Sequence, residues 1–141
     1  MKSAGYSGTP LIKKLGIKPG QRVCILNSPE DFPRILGPLP MGVQLVSKLN
    51  KNHSLDLIHY FTLQSRLLQA KFPELKAALA YDGSLWISWP KKSSKVKSDL
   101  DENIIRDFGL ALGLVDVKVA AVNEIWSGLK FVYRLENRAK S

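Results

Sequence analysis

Polar and basic side chains stand where three predicted strands of this chain end. In an open α/β sheet the carboxyl ends of parallel strands meet at one edge, and ligands bind there. Binding sites need only a few polar groups that converge on such a place. The sequence therefore predicts a ligand-binding site at this edge, with a polar edge that binds nothing as the alternative. The predicted site residues are Asn27, Ser28, Tyr60, Thr62, Trp89, Lys91 and Lys92.

Two of these residues, Lys91 and Lys92, are expected to form the cationic wall of an anion site. They follow Pro90, which ends the strand because proline cannot donate to the ladder, so the chain leaves the sheet where such sites lie. The loop after them carries Lys95 and Lys97. A solvated basic loop without a ligand is the alternative.

The residue types that usually carry catalysis are too sparse to predict an active site. Two histidines, His53 and His59, are too few for a metal site, and His59 is expected to be a hydrogen-bonded core residue. No serine lies in a G-x-S-x-G elbow. The adjacent carboxylates Glu30 and Asp31 suit a helix N-terminus. Cys24, flanked by apolar residues, is expected to be a buried structural thiol. The sequence thus predicts neither catalytic nor metal-binding residues.

Three apolar runs predict the strands that position the site: Arg22–Leu26, Leu55–Phe61 and Leu85–Trp89. Near-continuous apolar character is typical of inner strands of a parallel sheet, which are buried on both faces. Asp82-Gly83 is predicted to be a turn into the third strand. Trp86 and Trp89 lie three residues apart in that strand, so they are expected to face opposite sides of the sheet.

Helices are predicted between and after these strands. A helix from Leu63 is expected to break near Phe72, because Pro73 would clash with the preceding turn. Ser98 is predicted to cap the next helix, and Gly113 fits the position just past its end. Alternation of strands with helices implies a mainly parallel sheet with right-handed crossovers.

The last two strands are predicted to pair with each other. Val115–Val119 alternates apolar and polar residues, as half-exposed strands do, and Leu129–Leu135 follows too closely for a helical crossover. A further short strand is expected at Val43–Val46. The predicted fold class is α/β, a Rossmann-like three-layer sandwich, with a mainly parallel sheet and a C-terminal antiparallel strand pair.

Composition limits the class of protein. The chain has 141 residues, of which 45% are hydrophobic, so residues 1–141 are expected to form a single domain with loose tails at 1–8 and 136–141. The N-terminus has no apolar run and no stretch approaches the roughly 20 apolar residues of a membrane span. A cytoplasmic protein with no membrane partner is therefore expected. The oligomeric state cannot be read from the sequence.

The net charge of +9 favours anionic partners, although a basic soluble surface is the simpler interpretation. An anionic small molecule or a protein partner is expected. Nucleic acid is a further candidate partner that the charge alone supports, because the sequence has no recognition motif.

Several segments resemble an uncharacterised bacterial family, domain of unknown function 3052. They are GYSGTPLIKKLGIKPGQRV, DLIHYF, FPELKAALAYDGSLWISWPKK and GLVDVKVAAVNEIWSGLKFVYR. The resemblance covers nearly the whole chain and brings no activity and no catalytic residues.

The order of elements also resembles the later half of class I S-adenosylmethionine-dependent methyltransferases, in which a strand, helix, Gly turn, strand, helix and antiparallel strand pair follow one another. That family has a Gly-rich loop after its first strand. Here the loop reads Asn27-Ser28-Pro29-Glu30-Asp31, with two carboxylates and no glycine, and Ser28 is expected to cap a short helical turn with Pro29 in the first position. Because the glycines give close backbone approach, no cofactor and no tight S-adenosylmethionine binding are predicted.

Two main functions remain, and the first is preferred. It is a non-catalytic module that binds an anionic ligand or a partner protein. The alternative is a minimal or degenerate methyltransferase-like enzyme, and nucleic-acid binding through the basic surface is a third.

Overall fold

The computed structural model describes residues 9–138, in which six strands form one sheet. The strands are β1 (Arg22–Leu26), β2 (Gln44–Leu45), β3 (Leu55–Phe61), β4 (Leu79–Pro90), β5 (Leu114–Ala121) and β6 (Trp126–Tyr133). The helices are α1 (Leu11–Leu15), α2 (Phe32–Leu36), α3 (Ser65–Ala78), α4 (Glu102–Ala111) and α5 (Leu135–Arg138), with a 3₁₀ turn at Lys92–Ser94.

The sheet has the strand order β2-β1-β3-β4-β6-β5. The first four strands in this order are parallel, and β6 runs antiparallel to both β4 and β5. The predicted Rossmann-like α/β fold is confirmed, with its three parallel inner strands and its C-terminal antiparallel pair. The chain leaves β1 towards β2 on one side and returns on the other side as β3, so the strand order reverses between β1 and β3.

Helices cover both faces of the sheet over two separate cores. On one face α3 and α4 bury Leu68, Phe72 and Ile105 against β4 and β6. On the other face α1 and α2 pack over Trp86, whose Nε1–H donates a hydrogen bond to the carbonyl of Leu15 at 2.9 Å. Trp89 belongs to the first core, which confirms that the two tryptophans of β4 face opposite sides.

Helix α3 continues through Pro73 from Ser65 to Ala78, so the break predicted near Phe72 is wrong. A proline inside a helix removes one hydrogen bond and costs about 3 kcal/mol. The helix persists because its apolar stripe is anchored in the core: Leu68, Phe72 and Leu75 are at most 1% exposed, whereas Pro73 is on the exposed side.

The turn predicted at Asp82-Gly83 is instead part of β4, which begins at Leu79. The pairing of β3 with β4 shifts register between Leu55 and Leu57, so the irregularity is a bulge within the sheet. A Cβ at Gly83 would lie 2.8 Å from the carbonyl oxygen of Asp56, which explains why glycine is needed where the two backbones approach.

Two helix starts also differ from expectation. Helix α2 begins at Phe32, so Ser28 does not cap it. Helix α4 begins at Glu102, and the Ser98 hydroxyl donates instead to the carbonyl of Leu63 at 2.7 Å. Gly113 adopts a φ of +85°, just past the end of α4 as predicted.

Other elements differ from their predicted bounds by a few residues: β2 is shorter than Val43–Val46, and β6 starts and ends earlier than Leu129–Leu135. Further differences lie at the ends of the chain. The expected loose segment 136–141 is helical as far as Arg138. Residues 139–141 and the expected loose segment 1–8 lie outside the described residues. Across residues 9–138, none of the helices combines the length and the apolar character that crossing a membrane requires.

Asp101, the residue before α4, is the N-cap, and we expect Asp101→Ala to lower the free energy of unfolding by about 1 kcal/mol. Its carboxylate accepts a hydrogen bond from the amide of Ile104 at 2.9 Å, which the alanine variant would leave without this partner. Asp101→Asn is the matched control, because an amide oxygen still accepts this bond. Urea midpoints measure the difference, and equal midpoints for the two variants would contradict the assignment of the cap.

Candidate functional site

A cavity of about 330 Å³ lies where the strand order reverses. It opens between the carboxyl ends of β1 and β3, the position at which open α/β sheets bind ligands. The volume is within the range of small-molecule sites. We call it the switch-point cavity, and its lining is Asn27, Pro29, Tyr60, Phe61, Thr62, Leu63, Gln64, Leu67 and Trp126.

Asn27, the first residue after β1, has a left-handed backbone with φ of +58°. Non-glycine residues rarely adopt this conformation, and asparagine is among the few that tolerate it. The backbone thus turns sharply at the end of β1, as a glycine would allow. The absence of glycine from the sequence of this loop therefore does not mean that the loop lacks a glycine-like conformation.

A second cavity of about 320 Å³ lies on the other side of the β1 loop. It is enclosed by α2 and by the segment that follows β2, and its lining is mainly apolar, with Ile25, Phe32 and Leu45 among its residues. Ser28 and Ser47 contribute hydroxyl groups to this apolar cavity. The β1 loop is thus flanked by a mainly apolar cavity on the β2 side and the switch-point cavity on the β3 side.

The structure brings together part of the predicted site. Asn27, Tyr60 and Thr62 line the switch-point cavity, and Ser28 lines the apolar one. Of the other three predicted residues, Trp89 is 7% exposed within the core, Lys91 follows β4 directly, and Lys92 begins the 3₁₀ turn.

Neither Lys91 nor Lys92 lines the switch-point cavity. The backbone amide of Lys91 donates to the carbonyl of Ile125 at 2.7 Å, which directs the chain alongside the start of β6. The charge of Lys91 acts on Lys14 of α1, so this lysine faces the α1 side of the molecule. The anion site proposed for Lys91 and Lys92 therefore stays a prediction, separate from this cavity.

Trp126 is a cavity residue that the sequence did not indicate. It opens β6, pairs with Pro90 of β4, and packs edge-on against Phe61 with ring centroids 5.2 Å apart. Because β6 is antiparallel to β4, its amino end lies at the same edge as the carboxyl ends of the parallel strands. The indole lines the mouth of the cavity and is partly exposed.

The charged groups of the β1 loop lie at its surface. Glu30 and Asp31 are exposed, and Asp31 is 3.6 Å from the guanidinium of Arg34 in the next helix. Exposed pairs of this kind contribute little to stability. Glu30 and Asp31 lie in the loop between Pro29, which lines the switch-point cavity, and Phe32, which lines the apolar one, and Arg34 offsets part of the charge of Asp31.

His59 is a core residue, as predicted, and does not reach the cavity. Its Nε2 lies 2.7 Å from the Ser88 hydroxyl oxygen, and burial lowers the pKa of His59 to about 3. Cys24 is fully buried, and burial raises the pKa of its thiol. A neutral imidazole and a protonated buried thiol are structural groups, so neither supplies a base or nucleophile to the site.

No protein-family model matches this chain, and no curated protein does either. The resemblance to domain of unknown function 3052 therefore stays a prediction.

Solved structures do match the chain. A protein from Sulfolobus solfataricus assigned to the type 11 methyltransferases is 13% identical, has a TM-score of 0.65, and the match covers 96% of both chains. An S-adenosylmethionine-dependent methyltransferase from Aquifex aeolicus is 16% identical, with a TM-score of 0.58 and 86% of both chains covered. The chain has the fold of these methyltransferases. A third neighbour is the magnesium protoporphyrin IX methyltransferase of Synechocystis PCC 6803 with bound SAH, at 12% identity and TM-score 0.56, covering 87% of this chain and 78% of that one.

These neighbours correct the expectation that the chain has no cofactor, because the fold it shares is that of S-adenosylmethionine-dependent enzymes, one of them with SAH bound. The expectation was wrong because it applied a rule for phosphate-binding loops to a ligand without phosphate. Glycines and the absence of carboxylates matter for loops that cradle phosphates. S-adenosylmethionine has no phosphate and carries a positive sulfonium, so a carboxylate-rich loop does not exclude it. At the level of the fold, the neighbours favour the methyltransferase-like alternative over the non-catalytic module.

Proposed function

We propose that the chain is a small methyltransferase-like protein that binds S-adenosylmethionine at the β1 loop. The observation that carries this proposal is the left-handed backbone of Asn27 beside the switch-point cavity. It gives the loop, without a glycine, the sharp turn that a ligand-binding loop of this kind makes after its strand. The fold shared with S-adenosylmethionine-dependent enzymes supports the choice of ligand.

The residues of the two cavities suit the parts of this cofactor. The apolar cavity beside Ile25 and Phe32 suits an adenine ring. Ser47 lies about twenty residues beyond Asn27, where dinucleotide-binding folds place the carboxylate that binds a ribose hydroxyl. A serine hydroxyl can make the same hydrogen bond without the charge. The carboxylates of Glu30 and Asp31, in the same loop, favour a ligand with a sulfonium and an ammonium group.

When bound, S-adenosylmethionine supplies an electrophilic methyl group for direct transfer to a nucleophile. The contribution of the chain is to hold the acceptor, because positioning alone lowers the barrier substantially. Tyr60, Thr62 and the aromatic residue Trp126 line the cavity and are the candidates for this role. Since His59 is buried away from this place, the proposed acceptor is one that needs no histidine base.

Calorimetric titration with S-adenosylmethionine and SAH tests the proposal. We expect a dissociation constant below about 100 µM, equivalent to about −5.5 kcal/mol. Asn27→Val should weaken binding at least tenfold, because a β-branched residue is strained by roughly 1–2 kcal/mol in the left-handed region. Asn27→Gly is the matched control and should bind as the original chain does.

Two outcomes would count against this function. If neither compound binds at millimolar concentration, the fold is shared without the cofactor. If Asn27→Gly loses binding as Asn27→Val does, the side chain of Asn27 matters and its backbone conformation does not carry the site. Thermal unfolding of both variants shows whether a loss of binding reflects a loss of folded protein.

A further inference from the structure

Five lysines form a continuous group on the side of the sheet covered by α1. Two of them, Lys14 and Lys130, each lie close to the charges of two other members. Burial and the charges of Lys118 and Lys91 lower the pKa of Lys14, and burial and the charges of Lys118 and Lys18 lower the pKa of Lys130. We call this group the lysine ridge: Lys14, Lys18, Lys91, Lys118 and Lys130.

Hydrogen bonds hold the centre of the lysine ridge in place. The ammonium group of Lys118 donates to the carbonyl of Lys14 at 3.1 Å, and that of Lys14 donates to the carbonyl of Ala121 at 3.1 Å. These bonds connect α1 to the edge strand β5. A cavity of about 360 Å³ opens beside Lys14 and Lys118, and Lys13 also lines it. The positive charges are therefore positioned beside a surface cavity.

Carboxylates do not neutralise most of the lysine ridge. The ion pairs found within residues 9–138 join Arg34 to Asp31, Lys71 to Glu74, and Arg106 to Glu102 and Asp116. Among these described residues Lys18, Lys91, Lys118 and Lys130 take part in none of them. Like charges held together without counter-ions repel one another, and an anionic partner relieves that repulsion.

The lysine ridge leads to the switch-point cavity. The backbone of Lys91 connects it to this cavity, because the amide of Lys91 donates to the carbonyl of Ile125 and Trp126 follows immediately. Trp126 lines the cavity mouth, and Ile125 is 42% exposed. The positive charges thus extend from β5 to α1, and the backbone of Lys91 connects them to the partly exposed Trp126.

We propose that the lysine ridge binds the phosphates of a single-stranded nucleic acid and directs one of its bases past Trp126 to the switch-point cavity. A row of cations next to an aromatic ring is the usual arrangement for binding single strands, with phosphates on the cations and bases on the ring. The strand would then be the methyl acceptor, and that part of the inference rests on the proposed function.

An acidic protein is the other polyanion that charge alone would allow. Lysine is depleted from protein–protein interfaces, whose centres are apolar and poor in charge. The lysine ridge has the opposite character, since Lys18 and Lys118 are exposed ammonium groups at its surface. A phosphodiester backbone is recognised through such charges without an apolar centre. The residues thus favour nucleic acid.

Fluorescence anisotropy with labelled RNA and DNA strands of about twelve nucleotides and one mixed sequence tests the proposal, using the whole chain without cofactor. We expect a dissociation constant below about 10 µM at about 50 mM salt, and weaker binding as salt rises. Lys18→Glu with Lys118→Glu should weaken binding more than tenfold. Removal of these charges by Lys18→Gln with Lys118→Gln should reduce the slope of log affinity against log salt by about 1.4, about 0.7 for each lost contact.

Lys48→Glu with Lys51→Glu is the matched control, because both lysines are exposed, lie in the segment before β3, and change the net charge equally. The control should bind almost as the original chain does, and melting curves should show that all variants are folded. Equal weakening by ridge and control substitutions would overturn the proposal. So would equal competition by polyglutamate, or no binding at about 50 mM salt.

The two strand types and the calorimetric titration separate the remaining possibilities. Tighter binding of one strand type identifies RNA or DNA as the preferred form and supports the proposal. Ridge-dependent strand binding without S-adenosylmethionine binding would leave the lysine ridge as a nucleic-acid site and refute the proposed function. S-adenosylmethionine binding without strand binding would support the proposed function and refute nucleic-acid binding by the lysine ridge.

Discussion

Gly109→Ala is expected to lower the free energy of unfolding by about 2 kcal/mol. Gly109 is buried in α4, and a Cβ there would overlap Cε1 of the Phe131 ring. Phe131 is fully buried and packs edge-on against Phe72 at 5.5 Å, so a shift of its ring would disturb this core contact. Overpacking a core costs about 1–3 kcal/mol, and this contact is severe. The higher helix propensity of alanine offsets at most about 1 kcal/mol.

A double-mutant cycle with Phe131→Leu isolates this contact, because leucine leaves room for the added methyl group. Gly109→Ala should then cost at least about 1 kcal/mol less than it does beside phenylalanine, a coupling typical of residues in contact. Urea unfolding of the four proteins measures it. The same cost in both backgrounds would mean that α4 does not pack against β6 through Gly109.

The inner strands could be predicted because each is a run of apolar residues long enough to be buried on both faces. Ile58 and Leu85 are fully buried, as this pattern requires. The order of the strands could not be predicted, because it depends on contacts between elements that are far apart in the chain. Prediction of helix boundaries was limited for the same reason. The core contacts of Phe72 and Leu75 hold α3 together across Pro73, and local preferences do not include that stabilisation.

Residues of the candidate site could be predicted only where they follow the parallel strands. The rule that ligands bind at carboxyl ends led to Asn27, Tyr60 and Thr62, which line one cavity. It missed Trp126, because an antiparallel strand brings its amino end to the same edge. It also placed Lys91 with this group, although the pairing of Pro90 with Trp126 carries the chain towards the α1 side.

The loop after β1 shows why residue identity is an incomplete guide to backbone conformation. A search for glycine tests one residue type, whereas the sharp turn after β1 requires only a positive φ. Asn27 meets this requirement with φ of +58°. Asparagine is enriched in this region because its short side chain can hydrogen-bond locally, so its position directly after a buried strand is a usable sequence signal.

Acid is expected to destabilise this protein through His59 by roughly 2–3 kcal/mol between pH 7.5 and pH 4.5. The imidazole is fully enclosed, stacks on Phe61 at 4.2 Å, and has its Nε2 at 2.7 Å from the Ser88 hydroxyl. Its Nδ1 has no hydrogen-bond partner within residues 9–138. Burial lowers the pKa of His59 from 6.5 to about 3, so the folded protein keeps the ring neutral where the unfolded chain binds a proton.

The sign of this effect follows from the two pKa values. Above pH 6.5 both states are neutral at His59 and the stability is fully present. As the pH falls below 6.5, the unfolded chain gains a proton that the folded protein cannot accept, and about 1.4 kcal/mol is lost per pH unit. The loss continues until the pH reaches about 3, the pKa of the folded state.

A variant that cannot titrate at this position isolates the contribution. His59→Phe with Ser88→Ala removes the imidazole together with the hydroxyl that it contacts, so no new buried polar group is left without a partner. Urea unfolding of both proteins at pH 7.5 and pH 4.5 gives the comparison. Carboxylates, including Asp99, whose pKa is lowered by hydrogen bonds from Ser65, titrate alike in both and cancel in the difference. The original chain should lose roughly 2–3 kcal/mol more than the variant, and equal losses would show that the folded protein takes up a proton at His59.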